Sequence, residues 1–276
     1  MTTSTPLTPA SGPRKRSPPR VVSVRRVVRL TPRMVRITFG GEQLQGFDSR
    51  GPAEHFRIYL PDGETGELLL PVMGPEGNAF PENRPRPESR AYTPRRWDPE
   101  KAELDVDIAI HEHGPGASWA AGVKEGDIAV ISGHAGGAYF PESGVDWYVI
   151  GGDEAALPAM ATVLEALTDS MRAYVVAEVH DACEELELAS PAALQVRWLH
   201  RRLGEMPGRM LAQAMRAFEL PEGDGRVWVS CEASVMRDIR RHFIEDRGLD
   251  RAKLRTQGYW KAGAANHPDH DMGEDV

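Results

Sequence analysis

Near residue 146 of this 276-residue chain the spacing of apolar side chains changes period. Before that point apolar and polar residues alternate. In VRITF, Val35, Ile37 and Phe39 share one face; in LDVDIAIH, Leu104, Val106, Ile108 and Ile110 share one face and Asp105 and Asp107 the other. EHFRIYL and GDIAVISG are further short strands. Turn chemistry separates them: Pro-Asp-Gly at 61–63, a Pro-rich run at 81–87 and Gly-Pro-Gly at 114–116. Period-two runs punctuated in this way predict an antiparallel barrel or sandwich. One short helix is expected from Ala117 to Gly122. After residue 146 short apolar strands alternate with helical patterns. WYVIGG, AYVVAEV, QVRWL, RVWVSC and LRTQGYW read as strands. DEAALPAMATVLEAL, residues 207–219 opened by Pro207, and EASVMRDIRRHFIEDRG stopped by Gly248 read as helices. Strand–helix alternation builds a parallel sheet.

The predicted organisation is therefore a polar tail at 1–19, a β domain at 20–145, an α/β domain at 146–264 and an acidic tail at 265–276, with the domain boundary in the polar turn at Glu142–Asp146. Charge narrows the partners. Residues 1–36 carry nine basic side chains and no acid, leaving 24 basic against 41 acidic in the remaining 240 residues. An acidic body argues against nucleic acid as the main partner. No apolar run reaches the roughly 18–20 residues of a membrane span, and no secretory leader pattern is present, so a cytoplasmic protein without stable membrane association is expected. Cys183 and Cys231 lie far apart with no CxxC spacing, which excludes a disulfide scaffold and a Cys-rich metal site.

Five segments carry candidate chemistry. RAYT at 90–93 combines a guanidinium suited to a pyrophosphate with a flat ring and a hydroxyl; taken alone, its four residues read more simply as a strand with an exposed Arg and a half-buried Tyr. HEHGPGASWA at 111–120 places a Gly-Pro-Gly turn at a helix start, where backbone N–H groups cradle an anion; His111 and His113 share a strand face but have no third metal ligand at useful spacing. GGDEAALPAM at 151–160 follows the first parallel strand, at the usual dinucleotide crevice, although it is not GxGxxG; otherwise it is a plain βα turn with Asp153 as N-cap. SCEASVM at 230–236 lies on the same sheet edge. Its Cys231 is either a nucleophile or a buried structural thiol, and no GxSxG accompanies it. GYWKAG at 258–263 sets two aromatics and a lysine at the end of the last strand, suited to stacking on a flat ring or to plugging the sheet.

Together and in this order, EHFRIYLP, SRAYTPRRW, LDVDIAIHEHGPGASWA, GDEAALPAM, CEASVMRDIRRHF and GYWKAG resemble the siderophore-interacting protein family, FAD-dependent ferric-siderophore reductases of the ferredoxin-reductase superfamily. The resemblance spans residues 20 to 263. It implies a β + α/β fold: an N-terminal antiparallel FAD-binding β-barrel followed by a C-terminal parallel-sheet domain for the nicotinamide nucleotide, with the flavin in the cleft between them. It implies that Arg90 holds the FAD pyrophosphate, Tyr92 packs on the flavin or ribityl chain and Thr93 bonds the N5 edge. His111, Gly114, Pro115, Ala117, Ser118 and Trp119 would surround the phosphates and adenine side, with Ala91 and Asp107 completing the cofactor set. Gly152, Asp153, Glu154, Ala156 and Pro158 would meet the nicotinamide nucleotide, and Cys231 and Glu232 would approach the nicotinamide. Tyr259 or Trp260 would screen the flavin. The chelate would be met by Arg57, in place of the basic residue of DHxKL-like segments, and by Lys261. The arginine of the family's GPRG-like turn is Ala135 here, with His134 beside it as a partial replacement.

The implied reaction runs from NADPH or NADH, with reduced ferredoxin as the alternative donor, through FAD to siderophore-bound ferric iron. Oxygen chelators hold ferric far better than ferrous iron, so reduction releases the metal. Asp181 suits a ribose 2′-hydroxyl and hence NADH; Arg197, His200, Arg201 and Arg202 suit the 2′-phosphate of NADPH. No side chain is expected to dominate catalysis, and a monomer is expected. The competing readings are another flavin-dependent reductase of the superfamily, acting on free flavin, ferredoxin or a quinone, and a siderophore-binding accessory protein without turnover. A siderophore esterase ranks last, because no nucleophile elbow is present.

Overall fold

The computed structural model describes residues 17–75, 77–111, 114–202 and 204–264. The chain divides between Phe140 and Pro141 into two compact units.

Among the described residues of the first unit nine strands form: β1 (Arg20–Thr31), β2 (Met34–Gly40), β3 (Phe56–Tyr59), β4 (Val72–Gly74), β5 (Gly77–Ala79), β6 (Ser89–Tyr92), β7 (Arg96–Asp98), β8 (Glu103–Ala109) and β9 (Ile128–Ile131). Seven make one antiparallel sheet in the order β6-β3-β9-β1-β2-β8-β7, and β4 and β5 form a separate hairpin. The two edge strands are consecutive in sequence. Four Cα steps from Tyr92 to Arg96 reach at most about 14 Å, whereas six inter-strand spacings in a flat sheet span about 29 Å. The sheet therefore curls into a partial barrel, with β6 and β7 brought near without being hydrogen-bonded neighbours. The predicted alternation is realised: Val35, Ile37, Phe39, Leu104, Val106 and Ile108 are buried in one cluster with Phe56, Ile58 and Ile131. The polar face of β2 and β8 is itself paired, Thr38 Oγ1 with Asp105 at 2.6 Å and Arg36 with Asp107 at 2.7 and 2.8 Å. Helix α1 (Pro115–Gly122) starts two residues before its expected position, because Pro115 takes the first helical position, where its missing N–H is no loss.

The second unit is a five-stranded parallel sheet, order β12-β11-β10-β13-β14. Its strands are β10 (Trp147–Asp153), β11 (Arg172–Val179), β12 (Ala193–His200), β13 (Gly225–Glu232) and β14 (Leu254–Trp260). Helices α2 (Leu157–Glu165), α3 (Arg209–Arg216) and α4 (Ala233–Arg241) complete it. A Cβ at Gly151 would stand 3.0 Å from Met215 Sδ of α3, and one at Gly152 would stand 2.5 Å from Met160 Sδ of α2, so the two glycines let helices close on opposite faces of β10. The strand order reverses between β10 and β13, which sets the ligand crevice of such sheets at their carboxyl ends. Three expectations are corrected. Helix α3 begins after Pro207, at Arg209, because Gly208 takes a left-handed conformation at φ 86°. Asp153 is the last residue of β10 and does not cap α2, whose N-cap is Ala156. The last helix gives way to a π turn at His242–Asp246 before Gly248. The turn at Glu142–Asp146 belongs wholly to the second unit: Glu142 is bidentate to Arg226 at 2.9 and 2.5 Å, and its N–H donates to Tyr148 Oη at 2.7 Å. No helix among the described residues is long and apolar enough to cross a membrane.

Candidate functional site

In the first unit the site is built on β6. Its register against β3 pairs Arg90 with Ile58 and Tyr92 with Phe56, and Ala91 with Arg57. Arg90 and Tyr92 therefore share one face and Arg57 and Ala91 the other. Helix α1 packs onto the Arg90–Tyr92 face. A Cβ at Gly116 would run into Tyr92 Oη and stand 3.2 Å from Arg90 Cγ, so any other residue there would force Tyr92 or the helix to shift. The helix N-cap is Gly114 at φ 114°, without a side-chain cap, which leaves the first N–H groups of the helix with no side-chain acceptor among the described residues. Arg90 donates to the Ser89 carbonyl at 3.0 Å and holds exposed Glu88 only at 3.4 Å. Burial pushes the Tyr92 phenol up to about 12, the Arg90 charge opposing it. A guanidinium held only by a long contact to an exposed acid, a neutral ring and a helix start with no side-chain cap among the described residues are what a pyrophosphate with an attached flat ring requires, so the residues present fit FAD.

The neighbouring predictions separate. Thr93 is buried directly after β6, and Ala117 is buried in α1. His111, Pro115 and Ser118 are exposed, with the His111 ring 3.1 Å from the Cβ position of Gly114. Trp119 stacks on Phe39 at 6.4 Å, and Asp107 is buried in its bidentate pair with Arg36, with Arg95 at 3.9 Å; both side chains serve the sheet. His113 lies outside the described residues, and no cluster of three metal-ligating side chains occurs among the described ones. Arg57 donates to Ser89 Oγ at 3.1 Å and has no carboxylate partner among the described residues. His134 is half-buried and Ala135 fully buried, its N–H on the Asp48 carbonyl, so position 135 offers nothing to solvent. Sequence reasoning missed Arg86. Its charge reaches Tyr59 alongside that of Arg57, and unlike Arg84, which is bidentate to Glu67, it has no carboxylate partner among the described residues. Only the Pro-rich loop around it marked the position.

In the second unit the predicted nucleotide residues gather where β10 meets β13, Gly152 pairing with Ser230. Gly152, Asp153, Ala156 and Pro158 are buried. Asp153 accepts from Trp260 Nε1 at 2.8 Å and from the N–H groups of Glu232 and Ala155, each at 3.1 Å. Burial and then the Glu154 charge push its carboxyl up to about 7, against these hydrogen bonds. Glu154 is bidentate to Arg201, one contact being 2.9 Å. Arg201 also reaches Glu178 at 3.3 Å, and fully buried Glu178 accepts from the N–H groups of Gly208 and Leu211 at the start of α3, at 2.7 and 2.8 Å. Glu178 and this use of Arg201 were not foreseen, since an acid at a strand end has no pattern of its own. Glu232 caps α4 through the N–H groups of Ser234 and Val235 at 2.7 and 3.0 Å and accepts from Ala262 N at 3.2 Å. Cys231 is fully buried, and burial, then the charge of Asp153, raises its thiol well above the ordinary range, which favours the reading as a structural thiol over a nucleophile. Ser230 Oγ is buried without a partner among the described residues. Tyr259 and Trp260 are half-buried and Lys261 is exposed. Asp181 caps the turn at Ala182–Glu184, and His200 pairs with Glu185 at 2.8 Å. Arg197 and Arg202 remain exposed.

Comparison with known proteins agrees with this division. Residues 23–138 match the siderophore-interacting FAD-binding domain and residues 145–263 the siderophore-interacting protein domain. A solved siderophore utilization protein from T. fusca superposes with a TM-score of 0.82 at 37% identity, covering 93% of this chain and 98% of that one. The NADPH-dependent ferric-chelate reductase of Escherichia coli (strain K12) is 33% identical over 88% of this chain and 93% of its own length. Ferric vibriobactin reductase ViuB of Vibrio cholerae is 28% identical over 92% and 93%. With both matched domains in order and a strand-and-helix cradle that fits FAD, the chain belongs to the siderophore-interacting protein family.

Proposed function

We propose that this protein is an FAD-dependent ferric-siderophore reductase that takes electrons from NAD(P)H. The observation that supports it most directly is the closure of α1 onto Arg90 and Tyr92 through Gly116. Bound FAD would supply the conversion of two-electron donation into single-electron delivery. The protein's part is positioning. Arg90 and the start of α1 neutralise the pyrophosphate, Tyr92 presents an uncharged ring and Thr93 a hydroxyl beside it. His111, Gly114, Pro115, Ala117 and Ser118 line the same helix start. Ser230 supplies a hydroxyl at the sheet edge, where the nicotinamide nucleotide is assigned. With Arg201 held by two glutamates, Arg202 and Arg197 are the cations assigned to a 2′-phosphate. Arg57 and Lys261 are assigned to the anionic chelate, with His134 as a weaker contributor.

A monomer is the proposed working form. A reduced-nicotinamide donor supports a cytoplasmic setting, where reduced ferredoxin is the alternative donor. The test is anaerobic stopped-flow. Wild-type protein should be yellow, be bleached by NADPH and recover its colour with a ferric tris-catecholate. Arg90→Ala should lose FAD on gel filtration. Arg57→Ala combined with Lys261→Ala should slow reoxidation on the order of tenfold at low salt. An unchanged rate overturns the chelate assignment; protein that takes up no FAD overturns the whole reading.

A further inference from the structure

Asp153 and Glu232 sit at the ends of adjacent strands, and the sequence presents them as nucleotide contacts. Their hydrogen bonds point elsewhere. Both side chains are buried, at 1% and 4% exposure. The two carboxylate oxygens of Asp153 already accept three N–H groups, from Ala155, Glu232 and Trp260. Those of Glu232 accept Ala262 N on one oxygen and Ser234 N, Ser234 Oγ and Val235 N on the other. Glu232 therefore fills the anion position at the start of α4 that a phosphate would need. Two of these bonds cross to the end of β14: Trp260 Nε1 to Asp153 and Ala262 N to Glu232. They bracket Lys261, which is exposed between them. The register of β14 adds a second device. Cys231 pairs with Gly258 but Glu232 pairs with Trp260, so Tyr259 is an extra residue in a bulge. Bulges re-aim side chains at sheet ends, and this one puts the indole, not the phenol, opposite Glu232.

We propose that Asp153 and Glu232 are positioning residues that hold the Trp260–Ala262 segment on the carboxyl edge of the parallel sheet, and so fix where the Trp260 ring and the Lys261 ammonium stand, without themselves contacting the nicotinamide nucleotide. The functional half of this rests on Lys261 serving the chelate, as assigned above. Asp153→Asn tests it sharply. An amide offers one acceptor oxygen and an NH2 where the carboxylate offers two oxygens to three donors, so at least one N–H must face another. Trp260→Phe is the gentler partner, removing the Nε1–H and leaving the acids intact.

In the full-length FAD-loaded protein, hydrogen exchange at residues 258–264 should quicken at least tenfold in each variant. The double variant should add little to either single one, since both break the same bond. In stopped-flow, the concentration of ferric tris-catecholate for half-maximal reoxidation should rise severalfold in Asp153→Asn and Glu232→Gln, while that of NADPH for reduction stays within twofold. Exchange at 258–264 that stays at wild-type rates in Asp153→Asn and Trp260→Phe overturns the proposal. So does a loss confined to NADPH affinity, which would make the acids nucleotide ligands. A segment that loosens with no change toward the chelate also overturns it. Failure of the reductase reading is separate: it is seen in wild-type protein whose reduced flavin no ferric chelate reoxidises, whatever the exchange data show.

Discussion

At Asp153, burial and the neighbouring Glu154 charge raise the carboxyl pKa against hydrogen bonds that favour its ionised form. Glu154 stands beside it, Glu178 faces it from β11, and Cys231 and Glu232 from β13; Arg201 is engaged by Glu154 and Glu178. Its native value of about 7 lies above the 3.8 of an unperturbed aspartate. The native state then binds the proton more tightly than the unfolded chain, and stability from this group falls as pH rises from about 4 to about 7, by about 1.4 kcal/mol per unit at most. Urea unfolding at pH 5 and pH 8 should show wild type losing more stability between the two than Asp153→Asn, which has no such proton. Equal losses would show that Asp153 ionises normally. The cysteines make a simpler prediction. Cys183 is exposed and Cys231 buried with a raised pKa, and only thiolate reacts. A thiol reagent at pH 7.5 should therefore modify one cysteine in native protein and two after unfolding, with mass mapping to Cys183 first.

At the scale of elements, two helix starts are held in opposite ways. The first turn of α3 is capped by Glu178, thirty residues or more away in sequence, which also pairs with Arg201. Removing one member of a buried charged cluster costs about 3–5 kcal/mol, and Glu178→Ala should lower the urea stability of the protein by that order. The start of α1 has no side-chain cap among the described residues and closes on Tyr92 through Gly116. Gly116→Ala should weaken FAD about tenfold, about 1.4 kcal/mol, by flavin fluorescence titration. Adding Tyr92→Phe removes the phenol oxygen that the new methyl group would meet and should restore part of the affinity; no recovery would mean that the helix start is not where FAD is held. Period-two and helical spacing were enough to place most of these elements within a few residues of their observed ends. They failed at α3, where Pro207 read as a helix opener, because Gly208 and a distant carboxylate set the first turn.

Over the whole molecule, a formal charge of −8 repels an anionic chelate at long range, and the proposed chelate contacts Arg57 and Lys261 would each oppose that repulsion locally. Screening acts over about 8–10 Å at moderate salt, so the second-order rate of flavin reoxidation by a ferric tris-catecholate should fall as salt rises, and the Arg57→Ala, Lys261→Ala variant should reverse or flatten that slope. A slope equal to wild type would place the encounter elsewhere. The order of a β half and an α/β half, the glycine turns and the RAYT strand were legible in the residues alone, because turn chemistry and apolar period act between neighbours a few positions apart. Partnerships were not. Arg201 reads as a phosphate ligand until Glu154, 47 positions away, takes its guanidinium. Asp107 reads as a cofactor contact until Arg36, 71 positions away, takes its carboxylate, and Ala135 reads as a vacant binding position until the chain buries it. Which partners a charged side chain takes depends on strands brought side by side by burial; no local spacing along the chain encodes that choice.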